Sequence, residues 1–224
     1  MKKSKIFVAC DTSKISKIKK IIKDTQNSKL KIGYKLGLEF LNSKNGRIFL
    51  SKLRNKIIFA DLKLNDIPNT VVSALKSLKN LKISYLTVHL SSGFSALKIL
   101  KKKSKNIKIV GVTTLTSLNN RDLREIGYNK KANDLVKHQA KLAKRAKLDA
   151  IVCSGHEIRS VKKVFKKEII TPGIKIHNTK NDQKRTMKPE DAFAAGSDWL
   201  VIGRSITNGN IKKNIKSLLE ILED

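Results

Sequence analysis

Apolar residues along the chain fall into two alternating kinds of stretch. Short runs rich in β-branched side chains occur at KIFVAC (5–10), LKIGY (30–34), KIIFADL (56–62), ISYLTVHL (83–90), IKIVGVTTL (107–115), DAIVCS (149–154), EIITPGI (168–174) and WLVIG (199–203). Runs of this length predict buried strands. Most of the intervening segments show helical spacing. Ile15, Ile18, Ile21 and Ile22 mark one buried stripe, and 71–79, 94–103, 133–147 and 211–223 predict further helices. PEDAFAAG (189–196) predicts a helix opened by proline and closed by Gly196.

Strand then helix or loop, eight times over in 224 residues, predicts a (β/α)8 TIM barrel occupying residues 1–224 as a single domain. A doubly wound open sheet is the competitor, but the chain has no G-x-G-x-x-G turn. The strand ends strengthen the barrel. Asp11 follows the first predicted strand and Asp61 and Lys63 close the third. His89 closes the fourth, and Thr116 and Ser117 follow the fifth. Ser154 follows the sixth, Pro172 and Gly173 the seventh, and Gly203 and Arg204 close the eighth. In a barrel these ends converge on the face where active sites are built.

Composition changes this picture little. Forty-nine Lys and Arg stand against 18 Asp and Glu, a formal net charge of +31. The lysines are spread over the outer faces of helices throughout the chain, so the charge reads as a global bias, and no dedicated nucleic-acid partner is expected. No apolar stretch is long enough to cross a membrane. The apolar part of the opening MKKSKIFVACD is short and broken by Asp11, which argues against a signal sequence. Cys10 and Cys153, each ending an apolar run, are expected reduced and buried in a cytoplasmic protein.

The candidate chemistry starts at FADLKLNDIPNT (59–70). Asp61 and Lys63 lie two apart and would share one face of a strand, the interior of the mouth in a barrel. A lysine between carboxylates stays protonated and can donate a proton or stabilise developing negative charge. Spacing alone fits a structural ion pair equally well. Lys31, inside an apolar strand, either snorkels to the rim or joins Asp11, Asp61 and Lys63 at the mouth. Gly203 and Arg204 offer close backbone approach and a two-pronged phosphate contact. The polar segment 175–188 reads as a lid bringing Gln183 over a phosphate, or as an ordinary surface loop. His89 supports the charge network or is a satisfied core histidine. The histidines have no metal-ligand spacing, so no metal site is expected.

These motifs resemble a known family. DLKLNDIPNT, with LKIG, TVHLSSG, GVTTLTS, DAIVCSGHE, TPGIK and NDQKRTMKPEDAFAAGSDWLVIGRSIT in order, is similar to bacterial orotidine 5'-phosphate decarboxylases over residues 5–209. The resemblance implies a phosphate-binding (β/α)8 barrel that converts orotidine 5'-monophosphate to UMP and CO2 without metal or organic cofactor. It implies a homodimer with sites at the interface. Lys31, Asp61 and Lys63 would come from one subunit and Asp66 and Thr70 from its neighbour, with Lys63 protonating C6 of the pyrimidine. Asp11 and Lys31 would contact ribose, and Thr116 and Ser117 the pyrimidine. Lys175, Gln183, Gly203 and Arg204 would face the phosphate. The remaining motif residues, Leu62, Leu64, Asn65, Ile67, Pro68 and Asn69, are expected around the substrate. Asn65 and Lys175 stand where many relatives have histidine and arginine, and Leu90 replaces a small residue. The alternatives are a related barrel acting on a sugar phosphate and, more remotely, a basic nucleic-acid binder.

Overall fold

The computed structural model describes residues 3–27, 29–176 and 186–223. Eight parallel strands close into a barrel in sequence order, with β1 pairing both β2 and β8. They are β1 Lys5–Ala9, β2 Lys31–Gly37, β3 Ile57–Leu64, β4 Tyr85–His89, β5 Lys108–Val112, β6 Ala150–Val152, β7 Glu168–Thr171 and β8 Trp199–Ile202. The helices, in chain order, are α1 Ile15–Asp24, α2 Leu38–Leu41, α3 Gly46–Lys52, α4 Pro68–Ser77, α5 Gly93–Lys103 and α6 Asn120–Glu125, then α7 Ala132–Arg145, α8 Ile158–Val164, α9 Pro189–Ala195, α10 Arg204–Thr207 and α11 Ile211–Glu223. Among the described residues no helix is long and apolar enough to cross a membrane.

The strands read as unbroken apolar runs because both faces are covered. In β1, Ile6 and Val8 face the helices and join the large outer core with Ile18, Ile21 and Ile22 of α1. Phe7 and Ala9 face inward, with Phe59, Tyr85, Val110, Ala150, Ile170, Trp199 and Val201. The barrel interior is thus a packed plug. Phe7 stacks on Trp199 at 4.0 Å between centroids and meets Phe59 and Tyr85 at 4.9 and 5.2 Å. Gly33 of β2 makes room for it, since a Cβ there would lie 2.6 Å from the Phe7 ring.

The N-terminal end of the plug is closed by charge. Glu168 takes a 2.9 Å bond from Lys108, a 3.0 Å bond from the Tyr85 hydroxyl and a 3.5 Å ion pair from Lys5. Burial would raise the Glu168 pKa, but Lys108, Tyr85 and Lys5 hold it below its ordinary value. Burial pushes the Tyr85 phenol up to about 12.

Two strand limits differ from the sequence expectation in ways that matter. β2 starts at Lys31, paired with Lys5, and runs on to Gly37. Lys31 is therefore an exposed residue of the N-terminal end and does not reach the C-terminal mouth. β5 stops at Val112, and Thr114 is held in the following loop by the buried Gln139 of α7, whose Oε1 accepts from the Thr114 amide at 2.8 Å and hydroxyl at 3.2 Å.

Candidate active site

The C-terminal ends of the strands surround a cavity of about 280 Å3. Its lining includes Asp11 after β1, Lys35 on β2, Asp61 and Lys63 on β3, Thr116 after β5, Lys175 after β7, and Gly203 and Arg204 after β8. Apolar walls come from Ala9, Phe59, Val112, Val152 and Val201. A hollow with apolar walls and several converging charged and polar groups is a usual form of a small-molecule site.

The charged groups form a chain. Lys35 Nζ donates to Asp11 Oδ1 at 3.0 Å and lies 3.5 Å from Asp61 Oδ2, while Lys63 Nζ donates to Asp61 Oδ1 at 2.9 Å. Burial opposes ionisation of Asp61, but Lys35 and Lys63 outweigh it and hold the carboxyl below its ordinary range. Burial likewise opposes charge on Lys35, and Asp61 and Asp11 more than offset it, raising its pKa. Both groups are ionised at neutral pH. His89, half-buried at the end of β4, has its pKa lowered by burial and by Lys63, partly countered by Asp61, so the imidazole is neutral there.

Lys35 takes the place expected of Lys31. Side chains alternate along a strand, so 31 and 35 share a face, but four residues separate them by about 13 Å along the barrel wall. The duplicated Lys-x-Gly pattern, at 31–33 and again at 35–37, hides the difference. The distinguishing signal is the length of the strand: the apolar run LKIGY stops at 34, one residue short of Lys35, whereas β2 runs to Gly37.

Asp61 and Lys63 are brought together less simply than strand alternation suggested. Ala60 pairs with Leu86 and Leu64 with Val88, so Asp61, Leu62 and Lys63 together oppose Thr87 alone. This is a bulge with two extra residues. Lys63 sits in the left-handed region with φ of 49°. Leu62 and Leu64 pack against the helix-facing core, the wall opposite the cavity, which corrects the expectation that they touch substrate.

Beyond the bulge, Asn65, Asp66, Ile67, Pro68, Asn69 and Thr70 are all exposed and do not line this chain's cavity. Pro68 opens α4, where its missing N–H is no loss. Asp66 Oδ1 accepts the Ile67 amide at 2.7 Å. Asn65 Oδ1 accepts from Ser92 at 2.9 Å and Ser91 at 3.3 Å, tying the β3–α4 loop to the turn after β4.

On the far wall, Gly203 and Arg204 stand beside the end of β1, and Thr116 and Lys175 line the cavity, as expected. Ser117 is exposed and lies off the lining. Gly173, φ 77°, turns the chain after β7, and the polar segment leaves and returns through a bridge between Ile174 and Met187. The Lys175 amide donates to the Met187 carbonyl at 3.1 Å. Gln183 and most of the expected lid lie outside the described residues. Cys10 and Cys153 are free and buried. Burial pushes the Cys10 thiol up to about 12 and raises that of Cys153 as well, so neither is a nucleophile at neutral pH.

A closed parallel barrel with a lysine–carboxylate chain at its C-terminal mouth and a basic opposite wall defines a class, the barrels that do acid–base chemistry on small anions. The model of the orotidine 5'-phosphate decarboxylase / HUMPS family matches residues 4–215, and the chain belongs to that family. The orotidine 5'-phosphate decarboxylase of Wolbachia pipientis subsp. Culex pipiens is 42% identical over 197 residues, covering 85% of this chain and 87% of the relative. That of Coxiella burnetii is 38% identical over 217 residues, 91% and 89% of the two chains. The crystal structure of orotidine 5'-phosphate decarboxylase from Lactobacillus acidophilus, 28% identical, matches all of both chains with a TM-score of 0.83.

Proposed function

We propose that the protein converts orotidine 5'-monophosphate to UMP and CO2 in pyrimidine synthesis, using neither metal nor organic cofactor. The observation that carries this is one largely buried carboxylate, Asp61, held between the ammonium groups of Lys35 and Lys63 at the edge of a cavity with a basic far wall. The bond from pyrimidine C6 to its carboxylate breaks, CO2 leaves, and the electron pair stays on C6. Lys63 gives C6 a proton, forming the C–H bond of UMP, and the resulting neutral amine regains a proton from solvent. The fixed positive charge of Lys63 stabilises the developing carbanion before that transfer. Asp61 stands near the departing carboxylate and holds Lys63 in place.

Lys35 keeps Asp61 ionised and, with Asp11, meets the ribose hydroxyls. Thr116, with Ser117 in the same loop, meets the pyrimidine. Arg204, Gly203, Lys175 and Gln183 receive the phosphate, whose binding energy helps reach the transition state. The functional unit is a homodimer of 1–224 single-domain protomers in which Asp66 and Thr70 complete the neighbour's site. The exposed run 65–70, with Ile67 65% exposed, supports a covered surface there. The two free buried cysteines fit a cytoplasmic setting.

The test is loss of ultraviolet absorbance of orotidine 5'-monophosphate with purified protein and a metal chelator present. Turnover no greater than that of Lys63→Ala would sink the proposal. Chelator-sensitive turnover of a pentulose or hexulose phosphate in its place would move the chain to the other activity considered from the sequence. The shared site is tested by mixing Lys63→Ala and Asp66→Ala chains. One site of each mixed dimer holds both intact residues, so activity reappears. Mixed dimers that form and stay inactive would remove Asp66 from the neighbour's site.

A further inference from the structure

Thr87 is fully buried in β4, does not line the cavity, and is the sole residue opposite the three-residue bulge. Its hydroxyl oxygen accepts the Lys63 backbone N–H at 2.7 Å. The hydroxyl proton has two acceptors in reach, Asp61 Oδ1 at 3.3 Å and the Ala60 carbonyl at 3.4 Å. The ionised carboxylate is the stronger of the two.

We propose that Thr87 is a positioning residue for the reaction: its one hydroxyl fixes both the Lys63 backbone and the Asp61 carboxylate, and so sets where the Lys63 ammonium stands. Three features of the geometry point the same way. Opposite a bulge the ladder supplies no regular backbone acceptor for the extra amides, and a buried unpaired N–H is destabilising. Lys63 adopts φ of 49° inside strand β3, whereas the other left-handed lysines, Lys82, Lys105 and Lys147, lie in turns and loops between elements. The same oxygen that accepts from Lys63 N also lies against the atom, Asp61 Oδ1, that accepts from Lys63 Nζ. The two ends of the lysine are therefore referenced to a single buried atom. A valine in its place would keep the strand propensity and shape while removing the acceptor and the donor together.

The inference rests on the decarboxylase reading of the cavity. The experiment compares wild type, Thr87→Val, Thr87→Ala and Thr87→Ser, with rates taken per folded molecule. The expected result is a fall in kcat of about 10- to 100-fold for Val and Ala with KM within about twofold, and recovery of most of the loss in Ser. Amide hydrogen exchange at Lys63 is followed in parallel, and it is expected to speed up in Val and Ala and stay slow in Ser. That readout needs no turnover, so it tests the Thr87 contact even if wild type fails to decarboxylate the substrate and the functional proposal falls. Wild-type kcat in a folded Val or Ala variant would overturn the inference. Equal kcat losses in Val and Ser would also overturn it, since the methyl geometry and not the hydroxyl would then matter. Unchanged Lys63 exchange in all three variants would overturn it too.

Discussion

The barrel has two mouths, and each gathers lysines around one carboxylate. At the N-terminal mouth Glu168 meets Lys108 at 2.9 Å and Lys5 at 3.5 Å. At the C-terminal mouth Asp61 meets Lys63 at 2.9 Å and Lys35 at 3.5 Å. The group types and distances match, yet the surroundings do not. Beneath Glu168 the interior is filled, with Lys5 5.6 Å from the Trp199 ring centroid and Lys108 5.0 Å from that of Tyr85. Asp61 faces an open cavity, and its lysine partner is carried on a bulge instead of a regular strand. A lysine–carboxylate cluster is a lid on a core when its inner side rests on filled interior and its outer side meets solvent, as at Glu168 and Lys108. It becomes a candidate site when one side faces space that a substrate can fill.

The sharpest break of this comparison is at Lys63. Replacing it with alanine is expected to lower kcat by about 10³-fold or more, with a urea midpoint near that of wild type, because the side chain is partly exposed and bears on chemistry more than on packing. Next come the two lysines that share a face of β2. Lys35→Met is expected to reduce kcat/KM about 100-fold, while Lys31→Met stays within about twofold, and steady-state kinetics on the pair decide which mouth β2 serves. Comparable losses in both would erase the distinction between the mouths.

At the other end, Glu168→Gln is expected to leave kcat unchanged and lower unfolding free energy by about 1–2 kcal/mol, read from urea denaturation. The smallest effect is the pH dependence of that stability. Glu168 and Asp61 both have lowered pKa values when folded, so their contribution is present above the ordinary carboxylate range and is lost as pH falls through the lowered values. Lys35 and Lys108 have raised values, so theirs is present below the ordinary lysine pKa of 10.5 and is lost as pH climbs through the raised ones. Unfolding measured from pH 3 upward is expected to show a shallower acid limb in Glu168→Gln than in wild type.

Much of this was legible in the chain itself. All eight strands announce themselves because a parallel barrel buries both faces, which turns each strand into a continuous apolar run. The long helices α1, α5, α7 and α11 are legible through their stripes. The short α2, α3, α6 and α8, four to seven residues each, are too brief to establish a helical period. Asp11, Asp61, Lys63 and Arg204 could be placed because each follows or closes an apolar run. Lys35 could not, because an even spacing leaves a strand residue on the same face and only the absolute strand limits say which mouth it reaches. Thr87 was invisible for another reason. In LTVHL a threonine reads as an ordinary β-branched strand former, and nothing local reveals that the neighbouring strand carries two residues too many.

Those two residues lead to a consequence of the bulge. Ala60 and Leu64 both face the helices, as do their partners Leu86 and Val88, so an even number of extra residues leaves the inside–outside alternation intact. Cutting out Leu62 and Lys63 would set Asp61 against Thr87 in an uninterrupted ladder, and the eight strands would still close. The proposed proton donor is in this sense part of a two-residue insertion that leaves the alternation of the strand unchanged. A barrel shortened by that dipeptide would keep its inside–outside pattern and lose the Lys63 ammonium from its mouth.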